Sequence, residues 1–157
     1  MTALTGKPMT LARWIASGGG IGFFPIAPGT AGSLLALLIG AGALSVSRWL
    51  LLFLVVAVCV IGTWAVRATG EQDDPGWIVI DEFAGQWIAL LGLGRVSAYG
   101  VIAAFVLFRV LDIAKPGPVG WADRQHGAIG VMADDVVAGM IVAAILFAAT
   151  GLFPVLR

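Results

Sequence analysis

Two pairs of adjacent carboxylates, Asp81 with Glu82 and Asp134 with Asp135, stand in stretches otherwise suited to lipid, WIVIDEFAGQWIALLGLG and ADDVVAGMIVAAILFAATGLF. An ionisable group in such a setting costs about 2.5–3.5 kcal/mol on insertion scales, so a functional partner is the default expectation. Each pair is followed about one helical turn later by a glycine, Gly85 or Gly139, and small residues at that spacing let helix backbones approach closely. Packed together, two such helices bring four carboxylates to one depth. Hard divalent cations want clustered oxygen, and Mg²⁺ in particular takes one or two carboxylates with waters and substrate phosphate. The plainer explanation is that acids at a helix start meet the positive end of the helix dipole, worth about 0.3–1 kcal/mol each.

A third stretch, FRVLDIAKPGP, carries Arg109, Asp112 and Lys115 at intervals of three, which keeps neighbours on one flank of a helix. Arg109 lies within the apolar run and needs an anion or a carboxylate facing it. Lys115 at the helix end suits phosphate as a point charge. An internal Arg109–Asp112 pair with a snorkelling lysine is the alternative. In GIGFFPIAPGTAGSL, the residues Pro28, Gly29, Thr30 and Ser33 fall where a helix begins, and a helix start presents free N–H groups to phosphate. Thr30 or Ser33 as a simple N-cap accounts for the same pattern. His126, the one histidine, sits in WADRQHG between Arg124 and Gly127, either solvated or touching a headgroup. Cys59, inside LLFLVVAVCVIG, reads as small apolar packing, because a reactive thiolate needs a polar, accessible setting.

The elements that must position these residues are membrane helices. Of 157 residues, 60% are hydrophobic and 11% charged, against about 25% charged in soluble domains, and the mean hydropathy is +1.02. Zero net charge removes any argument for nucleic acid. No stretch has the pattern of a barrel strand, so the expected fold is all-α and polytopic: one domain over 1–157, with a Gly/Pro-rich N-terminal segment at 1–32 and a helical bundle at 33–157. Apolar segments are expected near 33–46, 49–66, 77–92, 98–114 and 134–153, making about five crossings or re-entrant helices, the first of them short. Pro116 and Pro118 stop the fourth. No signal peptide is expected, since the N-terminal run meets SGGGIGFFPIAPGT rather than an apolar core with a cleavage site.

With five crossings, all nine acids fall on one side, Glu71, Asp73, Asp74, Asp81, Glu82, Asp112, Asp123, Asp134 and Asp135. Six basic residues (Lys7, Arg13, Arg67, Arg109, Lys115, Arg124) share that side against Arg48, Arg95 and Arg157 on the other. The positive-inside bias then makes the charged face cytoplasmic.

Several phosphatase chemistries are disfavoured: the chain has no CxxxxxR loop, no DxD pair in a soluble α/β context, and too few histidines for a paired-histidine mechanism. Carboxylate-bound metal remains, which polarises phosphoryl oxygens and generates hydroxide near neutral pH. The rival class is a cation- or proton-coupled transporter, since membrane carboxylates also build ion paths. Against it, the acids gather at one surface.

Four stretches, GIGFFPIAPGTAGSL, DDPGWIVIDEFAGQ, FRVLDIAKPGP and GVMADDVVAGM, together resemble the phosphatidylglycerophosphatase A family of bacterial membrane lipid phosphatases, in the family's order and from Gly20 to Met140. The resemblance implies a Mg²⁺-dependent hydrolase of the bacterial inner membrane that converts phosphatidylglycerophosphate to phosphatidylglycerol and phosphate, as part of phospholipid biosynthesis. It implies Asp81, Glu82, Asp134 and Asp135 at the metal, and Asp112 as a further ligand or the base for water. Lys115 and Arg109 become phosphate contacts, and Pro28, Gly29, Thr30 and Ser33 a loop lining the site. The chain departs from the family's usual pattern at Gly117 and at His126, both in the loop after the fourth helix.

Overall fold

The computed structural model describes residues 8–71 and 75–152. Lys7, Asp73, Asp74 and Arg157, counted in the charge asymmetry, and Phe153, the expected end of the last segment, lie outside them. Every element among the described residues is helical. A short helix α1 (Leu11–Ala16) and a single 3-10 turn (Ile21–Phe23) precede α2 (Pro28–Val46), α3 (Arg48–Thr69), α4 (Ile80–Leu91), α5 (Ala98–Ala114), α6 (Pro118–Asp123) and α7 (Gly127–Leu152).

Three helices, α2, α3 and α7, are long and apolar enough to cross a membrane. The others are shorter, α5 with 17 residues being the longest of them. At 1.5 Å per residue the 12 residues of α4 reach about 18 Å, against a hydrocarbon core of about 30 Å. The first apolar segment is longer than its composition indicates: α2 begins at Pro28 and runs for 19 residues. Proline suits the first turn of a helix, where its missing N–H has no partner to lose. Neither Thr30 nor Ser33 caps this helix; the cap position is Ala27, held at a φ of +48°. The last helix also starts early, at Gly127, so Asp134 and Asp135 lie inside α7, about two turns from its head. The dipole at a helix start therefore does not explain the second pair.

The short α4 is the centre of the molecule. All of its residues except Ile88 and Leu91 are buried, Asp81, Glu82 and Gln86 among them, and it packs most extensively on α7 and then on α2. Glycines make this approach possible. A methyl group on Gly85 would stand 2.6 Å from the carbonyl oxygen of Asp135, and one on Gly139 would collide with the carbonyl of Gly85. On the α2 side, Trp87 Nε1 donates to the Ala36 carbonyl at 2.7 Å. The outer surface is apolar, with Leu38, Phe53, Val60, Ile102 and Phe147 exposed.

Chain direction follows from short connections. Ser47 alone joins α2 to α3, so the two run antiparallel. At the same end Arg48 Nη1 donates to the Leu91 carbonyl at 3.0 Å and Nη2 to that of Leu93, closing the end of α4. The starts of α2 and α4 and the end of α5 therefore share the opposite end, where the first turns of α7 join them.

Candidate active site

The first turn of α4 carries Asp81 and Glu82, successive residues that a helix turns to different sides. Glu82 faces α2 and α5. It accepts a hydrogen bond from Ser33 Oγ and lies 2.7 and 2.6 Å from Arg109 Nη1 through its two oxygens. The same nitrogen is 2.6 Å from Asp112 Oδ2 and 3.2 Å from Ser33 Oγ. One amino group with two protons thus meets four oxygens, so these carboxylates are short of donors.

Asp135 comes from α7. It is 2% exposed, and its Oδ1 is buried without a hydrogen-bond partner. A buried carboxylate left so is expensive. Oxygens of Glu82, Asp112 and Asp135 all lie within 4.8 Å of one another. Three carboxylates against the single Arg109 guanidinium leave two negative charges when all are ionised. A divalent cation fits this donor set: hard oxygen ligands, a buried carboxylate with one oxygen unpaired, and a matching charge deficit.

Asp134, adjacent in sequence, serves a different partner. It accepts from Lys115 Nζ at 2.7 Å, and Lys115 also pairs with Asp123. Partial burial works against the ammonium charge, but the hydrogen bonds that Lys115 donates to Asp123 and Asp134 outweigh it and raise the Lys115 pKa above its ordinary value. Lys115 is the C-cap of α5 and sits at a φ of +45°, a left-handed conformation unusual for a side-chain-bearing residue. Asp81, 6% exposed, accepts from the Glu82 backbone N–H at 3.0 Å.

The loop residues divide. At Gly29 a methyl group would run into Glu82 Oε1 and come within 3.5 Å of Arg109 Nη2, so Gly29 presses against the Glu82 carboxylate, while Pro28 lines a neighbouring cleft with Phe23 and Trp77. Ser33 bonds to Glu82 directly. Thr30 is half-buried in the same turn. His126 is elsewhere: exposed just before α7, it lines a 530 Å³ cleft with Arg67, Gly70 and Glu71. The structure thus brings together one acid from each of the two pairs, with Asp112, Arg109, Ser33 and Gly29, and gives Asp134 to Lys115.

Two features had no motif to mark them. Gln86, one turn deeper than Glu82 on α4, is wholly buried with neither amide atom hydrogen-bonded; its spacing of four from Glu82 was the available signal. Arg13, which the sequence marked only as one of the basic residues on the acidic side, is 3% exposed, lies over the Trp77 ring at 4.5 Å and pairs with Glu71 at 3.7 Å.

The phosphatidylglycerophosphatase A family model matches residues 14–150. The chain is 44% identical to phosphatidylglycerophosphatase A of Escherichia coli, covering 85% of this chain and 80% of that one. It is 40% identical to a putative phosphatidylinositol-3-phosphatase of Bacteroides thetaiotaomicron, covering 85% and 90%. It is also 35% identical to phosphatidylglycerophosphatase A of Haemophilus influenzae, covering 85% of each. No solved structure matches the chain. With a family model spanning all but its ends, and with a carboxylate cluster set among apolar helices, the chain belongs to the phosphatidylglycerophosphatase A family of lipid phosphatases.

Proposed function

We propose that this protein hydrolyses the terminal phosphate of phosphatidylglycerophosphate, releasing phosphatidylglycerol and phosphate in phospholipid biosynthesis, with Mg²⁺ held by Glu82, Asp112 and Asp135. The observation that carries this reading is the buried Asp135 carboxylate, one oxygen of it without a partner, grouped with two further carboxylates among apolar helices. When bound there, the ion supplies Lewis-acid polarisation of a phosphoryl oxygen and lowers the pKa of water.

The chain's own residues do the rest. Arg109 holds Glu82 and Asp112 in register and adds positive charge where phosphoryl charge accumulates. Lys115, more exposed than the triad, meets the incoming phosphate, while Asp134 and Asp123 keep it protonated and fixed. Asp81 and Asp134 flank the triad within α4 and α7 and complete the negative environment. Pro28, Gly29, Thr30 and Ser33 form the wall opposite, while His126, in its separate cleft, takes no part in this reading.

The site faces the cytoplasm of the bacterial inner membrane in this reading. Arg13, Arg67, Arg109, Lys115 and Arg124 belong to the carboxylate end of the bundle, and Arg48 and Arg95 to the other, the asymmetry expected of a cytoplasmic face.

The test is phosphate release by the purified protein in micelles, from phosphatidylglycerophosphate with Mg²⁺ and with chelator. Metal-dependent release is expected, and no release under either condition would overturn the assignment. Phosphatidylinositol 3-phosphate belongs in the same assay because of the Bacteroides relative's name; preferential release from it would move the headgroup assignment while keeping the metal chemistry.

A further inference from the structure

A groove of 430 Å³ runs along the outer face of α5, lined by Phe105, Val106, Arg109, Val110, Ile113 and Ala114. Its surface is apolar throughout, because Arg109 offers only its aliphatic stem there while its guanidinium turns inward to Glu82 and Asp112. Arg109 is thus a wall of the groove and a member of the charged site at once. From Phe105 to Ala114 the helix rises about 13 Å. The end at Ile113 and Ala114 adjoins Lys115, and the end at Phe105 lies deeper along the bundle. Val106, Val110 and Ile113 are 50%, 55% and 70% exposed, so the groove opens to the surrounding lipid.

Resting on the phosphatase reading, we propose that this groove is the substrate's acyl-chain subsite. It binds one fatty chain of a two-chain phospholipid whose terminal phosphomonoester reaches Lys115 and Arg109. The polarity of the groove carries the choice of occupant. Charge at the Lys115 end and hydrocarbon toward Phe105 repeat the order of headgroup and tail in a bilayer, and the shared Arg109 makes tail site and phosphate site continuous. A chain seated there fixes the glycerol backbone near Ile113, so the phosphate is delivered at the depth of the carboxylates. Apolar burial along the groove supplies binding that is selective for lipid over soluble phosphomonoesters.

The experiment uses the full-length protein in phosphatidylcholine vesicles with a two-chain lipid phosphonate, which cannot be hydrolysed, bearing a photoreactive diazirine midway along one chain. The expected result is labelling of the segment 105–114 severalfold above that from the same probe with a choline headgroup, reduced in Val106→Trp and in the milder Val110→Phe. Equal labelling from both headgroups would mean ordinary solvating lipid, and a protein–protein crosslink through α5 would mean a second copy; either overturns the proposal. In parallel, Val106→Trp should lower kcat/KM for a long-chain substrate about tenfold, a larger loss than for a dihexanoyl substrate. If the wild-type protein released no phosphate, the reaction assignment would fail while labelling still decided the groove. If it turned over and labelling ignored the headgroup, the groove alone would fail.

Discussion

Arg109 Nη1 stands 2.6 Å from Glu82 Oε2, joining α5 to α4 through a charge pair that neither helix could bury alone. Removing one member of a buried pair leaves the other uncompensated, at a cost of about 3–5 kcal/mol. Arg109→Met should therefore lower the melting temperature in detergent and abolish turnover. Adding Glu82→Gln to it should recover much of the stability but none of the activity. Recovery of both would show that the pair holds structure and takes no part in the reaction.

Asp135→Asn separates metal binding from folding. Outer partners of a metal site are worth about 10–100-fold, so loss of a direct ligand should reduce phosphate release by more than that and remove Mn²⁺ binding measured by paramagnetic resonance. Metal-free stability should be unchanged or higher, because a buried carboxylate facing two others has been neutralised. A variant that kept wild-type Mn²⁺ affinity would exclude Asp135 as a ligand.

Gly139→Ala tests whether the approach of α7 to α4 sets the site geometry. The added methyl meets the Gly85 carbonyl, and overpacking of this kind costs about 1–3 kcal/mol. Since α4 carries Glu82 and α7 carries Asp135, separating them should weaken metal affinity as well as stability. Circular dichroism melts and metal titration on one sample would show whether the two losses travel together.

Lys115 predicts a pH dependence of known sign. Its folded-state pKa is raised by Asp123 and Asp134, so the stability these pairs contribute is fully present below the unfolded lysine value, about 10.4, and is lost as pH rises through the higher folded value. The melting-temperature difference between wild type and Lys115→Met should hold constant from about pH 7 to 9 and shrink only above about pH 10. A difference already vanishing at neutral pH would contradict the pairing.

The sequence by itself determined the class of the molecule. Its composition required helices in lipid, because every backbone polar group must be satisfied internally there, and the cost of burying Asp81, Glu82, Asp134 and Asp135 marked where a function had to lie. It also marked Gly85 and Gly139 as close-approach positions, by their spacing from the acids. Helix ends were less readable: Pro28 and Gly127 begin their helices inside stretches rich in Gly that read equally well as loop. What only the tertiary structure decided is how the acids are shared. Neighbours in a helix point about 100° apart, so Glu82 and Asp135 turn inward to meet Asp112 while Asp134 turns to Lys115. That choice depends on the rotation of each helix about its axis. The packing of Gly85 against α7 and of Trp87 against α2 sets that rotation, through contacts between residues far apart in the chain.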